Sequence, residues 1–458
     1  MTNIKKKVLT DILRAMASNA LSIFASAFII LVLPKFIGLE EYSYWQLYIF
    51  YSSYVGFLHL GWSDGFYLNN GGKNFDSINK ERTSSNYYSF ILFQIFLAVS
   101  IIIISTTLSD NYAQVTFYIA VCLLLTNIRS YSQFLLQATS RIKEYSSIII
   151  IEKVTLVIGV TIVLLFYDVK FEMIILVDLL SRLVALTISS YRCKSILFYE
   201  NVNCATLILG LEDTKKFIYS GFKLMFSFIC SLLIFGVVRY MIEAKWGILA
   251  FGEVSLTLSL ATLFVVFINS ISIVLFPVLR NINEKLRKEV YIKIRFYLFM
   301  FLLILCNLYF PLYSIMSLWL PNFNNALQYL PLVFPIMLFE TKTSILTNSY
   351  MKALRKESDL LKVNIFTLIL SIVFSSMIYI YSDSLENCLI LLVIVSFTKY
   401  VVSDYLLSKN MKAIEYKYWI FDFLFVVTFM TLANSNYEYV YTLLTLPLLP
   451  LLIYKIIK

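Results

Sequence analysis

The chain is 458 residues long, 60% hydrophobic and 14% charged, with a formal net charge of +10 and a mean hydropathy of +0.79. Soluble domains carry roughly 25% charged residues, so a soluble enzyme or binding module is excluded. Apolar runs of about 18 to 25 residues recur throughout, each long enough for a hydrocarbon core of roughly 30 Å, without the short alternating segments of a β-barrel.

These runs predict an all-α polytopic membrane protein with about 14 transmembrane helices. Their spans are 12–34, 42–68, 86–107, 115–138, 147–167, 171–191, 217–241, 248–278, 295–319, 326–350, 361–381, 385–407, 417–433 and 437–456. Lys5, Lys6 and Lys7 precede the first run, which is too long for the core of a cleavable leader and is read as helix one. That helix carries Arg14 in the segment ILRAMASNALSIFASAF, whose small residues suit close packing inside a bundle.

The second run, YSYWQLYIFYSSYVGFLHLGWSDGFYLNNGG from Tyr42 to Gly72, holds the one histidine of the chain, His59, and an acid, Asp64. Gly61 and Gly65 form a small-xxx-small pair that lets another helix approach closely. A lipid-facing helix needs none of these features; a helix lining a wet cavity can use all of them. Helix four places Arg129, Gln133 and Gln137 at helical spacing, a polar stripe of the kind that lines a cavity. Asp178 and Arg182, four apart on one helix, read as a structural ion pair. Lys223 and Arg239 lie near the inner and outer ends of helix seven, and Glu253 lies early in helix eight. Lys153 and Lys342, near inner ends, can snorkel.

With the N-terminus inside, the inner loops hold about 27 Lys and Arg, among them Arg280, Arg287 and Arg295; the outer loops hold about three, Lys35, Lys170 and Lys245. This bias puts both termini in the cytoplasm. It also assigns the basic surplus to topology and anionic lipid, not to nucleic acid. Trp45, Trp246 and Trp319 fall near outer ends and Trp62 and Trp419 near inner ends, as an aromatic belt would. The six cysteines lie in no CxxC pair or metal spacing, so neither disulfides nor a metal site is expected.

The longest loop, about Tyr191 to Lys216, separates helices one to six from seven to twelve. PKFIGLEEYSYWQLYIF, leading into helix two, is echoed by EAKWGILAFGEVSLTLS, leading into helix eight. The expected organisation is an N-lobe over 1–206, a C-lobe over 207–410 and two extra helices over 411–458, the lobes being parallel repeats of about six helices.

A basic N-terminus, a small-residue first helix, FIGLEEYSYWQL entering helix two, LGWSDG near its end, then KFIYSGFKLM and WGILAFGEVSLT in the second half: together these resemble the polysaccharide-transport flippases of the MOP superfamily, the O-antigen or Wzx-type translocases. The resemblance spans the chain in length, helix count and loop economy. It implies two lobes around a central cavity, and translocation of an undecaprenyl-diphosphate-linked oligosaccharide from the inner to the outer leaflet of a bacterial inner membrane. A cationic lumen would contact the diphosphate and glycan, and Arg14, Arg129, Lys223 and Arg239 are the cations available for it. His59, Asp64 and Glu253 are the candidates for ion coupling. Polysaccharide polymerase machinery is the partner this implies, alongside membrane lipids. No catalytic residue, cofactor or Walker A loop is expected. Two alternatives remain: a drug or cation antiporter of the same superfamily, which favours buried acids, and a membrane polymerase or glycosyltransferase, which usually carries a large charged outer loop.

Overall fold

A computed structural model describes residues 2–199, 204–411 and 413–433. Among them every regular element is helical, and ten stretches are long and apolar enough to cross a bilayer. This is an all-α, multi-pass membrane protein. The predicted span 437–456 lies outside the described residues. The chain divides into two compact units, Met1–Ile229 and Cys230–Lys458.

Unit 1 opens with α1 (Thr2–Phe36), α2 (Leu39–Val55) and α3 (Trp62–Asn70). It continues through α4 (Lys80–Ser105), α5 (Asp110–Ala138), α6 (Ile142–Phe166), α7 (Phe171–Arg192) and the short α8 (Lys194–Leu197). The very long α9 (Cys204–Asn281) begins in this unit and ends in the next. α5 packs against α2, α3, α4 and α7, and α6 against α1 and α7. Local chemistry sets several starts. Asn79 accepts the Arg82 backbone N–H at 3.0 Å and caps α4. Glu41 accepts the Phe171 N–H at 2.7 Å and so caps α7 from α2. Trp62, Phe66, Tyr87, Phe90, Tyr131 and Phe217 form an aromatic core where α3, α4, α5 and α9 meet.

Unit 2 holds the rest of α9 and α10 (Glu284–Leu305), α11 (Tyr309–Trp319), α12 (Asn324–Gln328) and α13 (Leu330–Val333). Then come α14 (Pro335–Lys342), α15 (Ser349–Ala353), α16 (Glu357–Tyr381), α17 (Leu385–Asn410) and α18 (Tyr416–Ala433). α17 packs against α13, α14 and α16, and Leu330–Ala353 is the most enclosed of the ten apolar stretches.

Four predicted helices differ in detail. The span 42–68 is not one helix: α2 ends at Val55 and α3 starts at Trp62, with Leu60 (φ 53°) and Gly61 (φ 80°) left-handed between them. The span 326–350 is a series of short pieces, because Pro331 and Pro335 start new segments and a π-helical stretch follows at Thr343–Asn348. Helices seven and eight join within α9 at Gly247, whose φ 83° and ψ −179° are open essentially to glycine alone.

The tryptophans also depart from a belt. Trp45 and Trp62 are buried at 2% and 4% exposure, because α2 and α3 are enclosed by neighbouring helices. Trp419 spends its indole N–H on the buried Asp404, at 2.6 Å.

Candidate functional site

The break between α2 and α3 gathers the polar groups of the second run. The His59 Nδ1 accepts the Gly61 N–H at 3.0 Å, so the ring pins the turn and its Nε2 carries the proton when neutral. That nitrogen stands 3.6 Å from Asp64 Oδ2. The left-handed Leu60–Gly61 pair is what lets residues on either side of the break face each other. Glycine is required at Gly61, since a Cβ there would meet the backbone of Gly221 and Phe222 at 2.7 Å. A Cβ on Gly65 would overlap the Phe217 carbonyl. The sequence motif thus does bring a second helix close, and that helix is the first part of α9.

Asn69 on α3 donates to the Ser220 hydroxyl of α9 at 2.8 Å. Asn127 of α5 donates to the Val55 carbonyl at 3.0 Å, which also accepts the Leu58 N–H at 3.1 Å at the end of α2. Asn86 holds four groups at once. It accepts from the Trp62 indole (2.8 Å) and the Tyr131 hydroxyl (2.9 Å), and donates to the Gly210 carbonyl (2.8 Å) and Thr214 (3.0 Å).

The four cations singled out from sequence have different surroundings. Arg14 on α1 and Lys223 on α9 are exposed. Arg129 is ion-paired with Glu152 of α6, and Lys153 approaches the other carboxylate oxygen at 3.8 Å. Gln133 and Gln137 are half-buried beyond it on α5. Arg239, in unit 2, donates to the Ser255 hydroxyl at 2.8 Å and lies 5.0 Å from the Phe251 ring centre. Glu253 is half-buried, two residues before that serine. The Asp178–Arg182 pair forms as expected at 2.7 Å, and is extended by Tyr48 donating to Asp178 (2.6 Å) and by Arg182 donating to Thr126 (2.9 Å).

Unit 2 contains charges the sequence reading placed elsewhere. Arg295, assigned to an inner loop, is buried: it pairs with Asp404 at 2.6 Å, and Tyr291 and Trp419 donate to the same carboxylate. Burial is tolerated because the carboxylate oxygens are multiply satisfied. Lys342, expected to snorkel, instead pairs with Asp422 at 5% side-chain exposure, and Lys399 reaches both oxygens of Glu340 at 3.2 Å. No local pattern announces these pairs, whose members are 109, 80 and 59 residues apart.

Among the described residues no group of three or more His, Cys, Asp or Glu is placed to hold a metal ion. Cys122, Cys193, Cys230, Cys306 and Cys388 are buried free thiols.

No protein-family model matches the chain, and no curated protein matches it in sequence. Solved structures do match in shape. The lipid II flippase MurJ in an inward closed conformation superposes with a TM-score of 0.66 at 12% identity, over 98% of this chain and 100% of its own. An inward-facing multidrug-resistance MATE family transporter of the MOP superfamily superposes with a TM-score of 0.63 at 13% identity, over 88% and 98%. A MATE protein in complex with MaD3S gives 0.54 at 13% identity, over 88% and 96%. The fold is shared with these solved transporter structures. At such identities the likeness establishes architecture only.

Proposed function

We propose that the protein is a flippase carrying a lipid-linked oligosaccharide with an anionic diphosphate head, of the undecaprenyl-diphosphate type, from the inner to the outer leaflet. The setting proposed is a bacterial inner membrane, with both termini cytoplasmic and the exported unit passed to polymerase machinery. The observation that carries the reading is length-wide likeness to a flippase. The lipid II flippase matches 98% of this chain, whereas the MATE transporter leaves 12% unmatched (100% less 88%).

The physics supports this cargo. A glycan-diphosphate head cannot cross hydrocarbon unaided, because each unpartnered polar group costs several kcal/mol. Cations on a wet path replace its hydration with charge-assisted hydrogen bonds. Arg14, Lys223 and Arg239 are proposed as such contacts. Arg129 would join them by sharing its guanidinium between Glu152 and the cargo. His59, Asp64 and Glu253 are proposed to carry the coupling ion. Movement needs alternating access of two units and no covalent chemistry.

An antiporter for drugs or cations is the second reading, favoured by the MATE likeness at TM-score 0.63. The two separate on the cations. In cells, Arg14→Gln and Arg239→Gln should each reduce surface-polysaccharide export at least tenfold with membrane levels of protein unchanged. Normal export in both variants would remove the proposed contacts, and drug sensitivity in a null strain with intact polysaccharide would favour the antiporter.

A further inference from the structure

Unit 2 carries a buried cluster that the transport reading does not use. Lys342 ends α14 and is ion-paired with Asp422 on α18, their side chains 5% and 4% exposed. The Asp422 Oδ1 faces the ammonium, while its Oδ2 has no hydrogen-bond partner among the described residues. The Tyr400 hydroxyl of α17, also buried, faces both Asp422 and Arg295. A small pocket opens on the pair, lined otherwise by Phe299, Leu302, Leu338, Phe339, Phe425 and Val426. The charged and titratable groups around Asp422 and its immediate neighbours come from three elements: Arg295 and Tyr291 on α10, Lys342 on α14, and Tyr400 and Asp404 on α17.

A carboxylate oxygen enclosed at membrane depth with no partner is costly, and such groups mark ion or proton pathways. The lining decides which. A dehydrated metal cation needs several oxygen ligands. Here six of the eight lining side chains are hydrocarbon and one is an ammonium that repels a second cation. A proton needs one oxygen only. We infer that Asp422 is a proton-binding site of unit 2, reached through this pocket, with Lys342 as its positioning countercharge.

The step balances simply. A hydronium ion gives its proton to Asp422 Oδ2, an O–H bond forms, and one water is left. The Lys342–Asp422 pair passes from net zero to net +1, and release on the other side reverses this. The consequence is mechanical as well. α18 is tied to its unit by polar links from Asp422 to Lys342 and from Trp419 to Asp404. Protonation removes the charge from the first and loosens the helix.

The site presupposes the transport reading only for its purpose, and it can be tested without cargo. Difference infrared spectroscopy on the full chain in detergent micelles, titrated with acid, reads the carbonyl band of protonated carboxyl groups. Wild type should gain a band that Asp422→Asn loses and Asp422→Glu restores. Lys342→Gln and Tyr400→Phe should each displace its midpoint by about one pH unit, as expected for a lost neighbour. A band intact in Asp422→Asn overturns the assignment, and so does a band abolished by sodium ions at constant pH. Should Asp422→Asn fail to fold, an unmoved midpoint in both Lys342→Gln and Tyr400→Phe overturns it equally. Because no substrate is present, the band can persist if the cargo proves different, and it can fail while polysaccharide export still depends on Arg14 and Arg239.

Discussion

The two units hold buried charge in different ways. Unit 1 relies on arginine: Arg129 with Glu152, and Arg182 with Asp178, Tyr48 and Thr126. Around its helix break it sets His59 and Asp64 among neutral amides and glycine backbone contacts. Unit 2 has one such arginine pair, Arg295–Asp404, but adds two lysine pairs, Lys342–Asp422 and Lys399–Glu340. A guanidinium keeps its proton under any physiological condition, whereas a buried ammonium can shed one. Apart from His59 and Asp64, unit 1 is therefore built as a fixed frame, and unit 2 contains lysine pairs whose charge can change.

The largest effect expected tests the frame. Gly65→Leu drives a side chain into the Phe217 backbone, so monodisperse protein should be lost after detergent extraction. Gly38→Ala, where a Cβ meets nothing within 4 Å, should behave as wild type in the same chromatography. Next come the pairs. Glu152→Gln strands Arg129, and Asp422→Asn strands Lys342, each costing about 3 kcal/mol in thermal unfolding. The contrast lies in pH. The Glu152→Gln deficit should stay constant between about pH 6 and 9, while the Asp422→Asn deficit should shrink as pH rises and the stranded lysine loses its proton. Equal pH behaviour in the two variants would erase the distinction between the units.

Smaller effects sharpen the comparison. Trp419→Phe removes one donor from Asp404 and should cost about 1.5 kcal/mol, since hydrogen bonds to charged groups are the stronger kind. Asn69→Ala removes a half-buried link between α3 and α9 and should cost about 1 kcal/mol. The smallest concerns Cys193, at the end of α7, where burial pushes the thiol up to about 12. Only the thiolate is nucleophilic, so alkylation in native protein should be negligible at pH 8 and rise only as pH approaches that value. Mass spectrometry of the labelled peptide, native against denatured, reads this directly.

How much of this was legible in sequence follows from distance along the chain. The helical class and most spans were readable because each depends on one continuous apolar run. Asp178–Arg182 was readable because its members share one helix face. Gly61 and Gly65 showed a contact surface but not its partner, since Gly221 lies on a helix far along the chain. The α2–α3 break was hidden because hydrophobicity continues across it, and only the turn conformation of Leu60 and Gly61 interrupts the helix. Lys342–Asp422 and Arg295–Asp404 were hidden for the same physical reason in reverse: pairs formed across helices leave no spacing to find. Arg295 sat beside Arg287, Lys288 and Lys293 on the same α10, and composition alone could not single out the buried partner of Asp404.

The transport claim is tested most directly by the position of the cargo. In cells lacking this protein, lipid-linked glycan should accumulate in the inner leaflet, inaccessible to a membrane-impermeant periodate or lectin probe added outside, and should become accessible when the wild-type gene is restored. Glycan that reaches the outer leaflet equally well in its absence would contradict a role in flipping it.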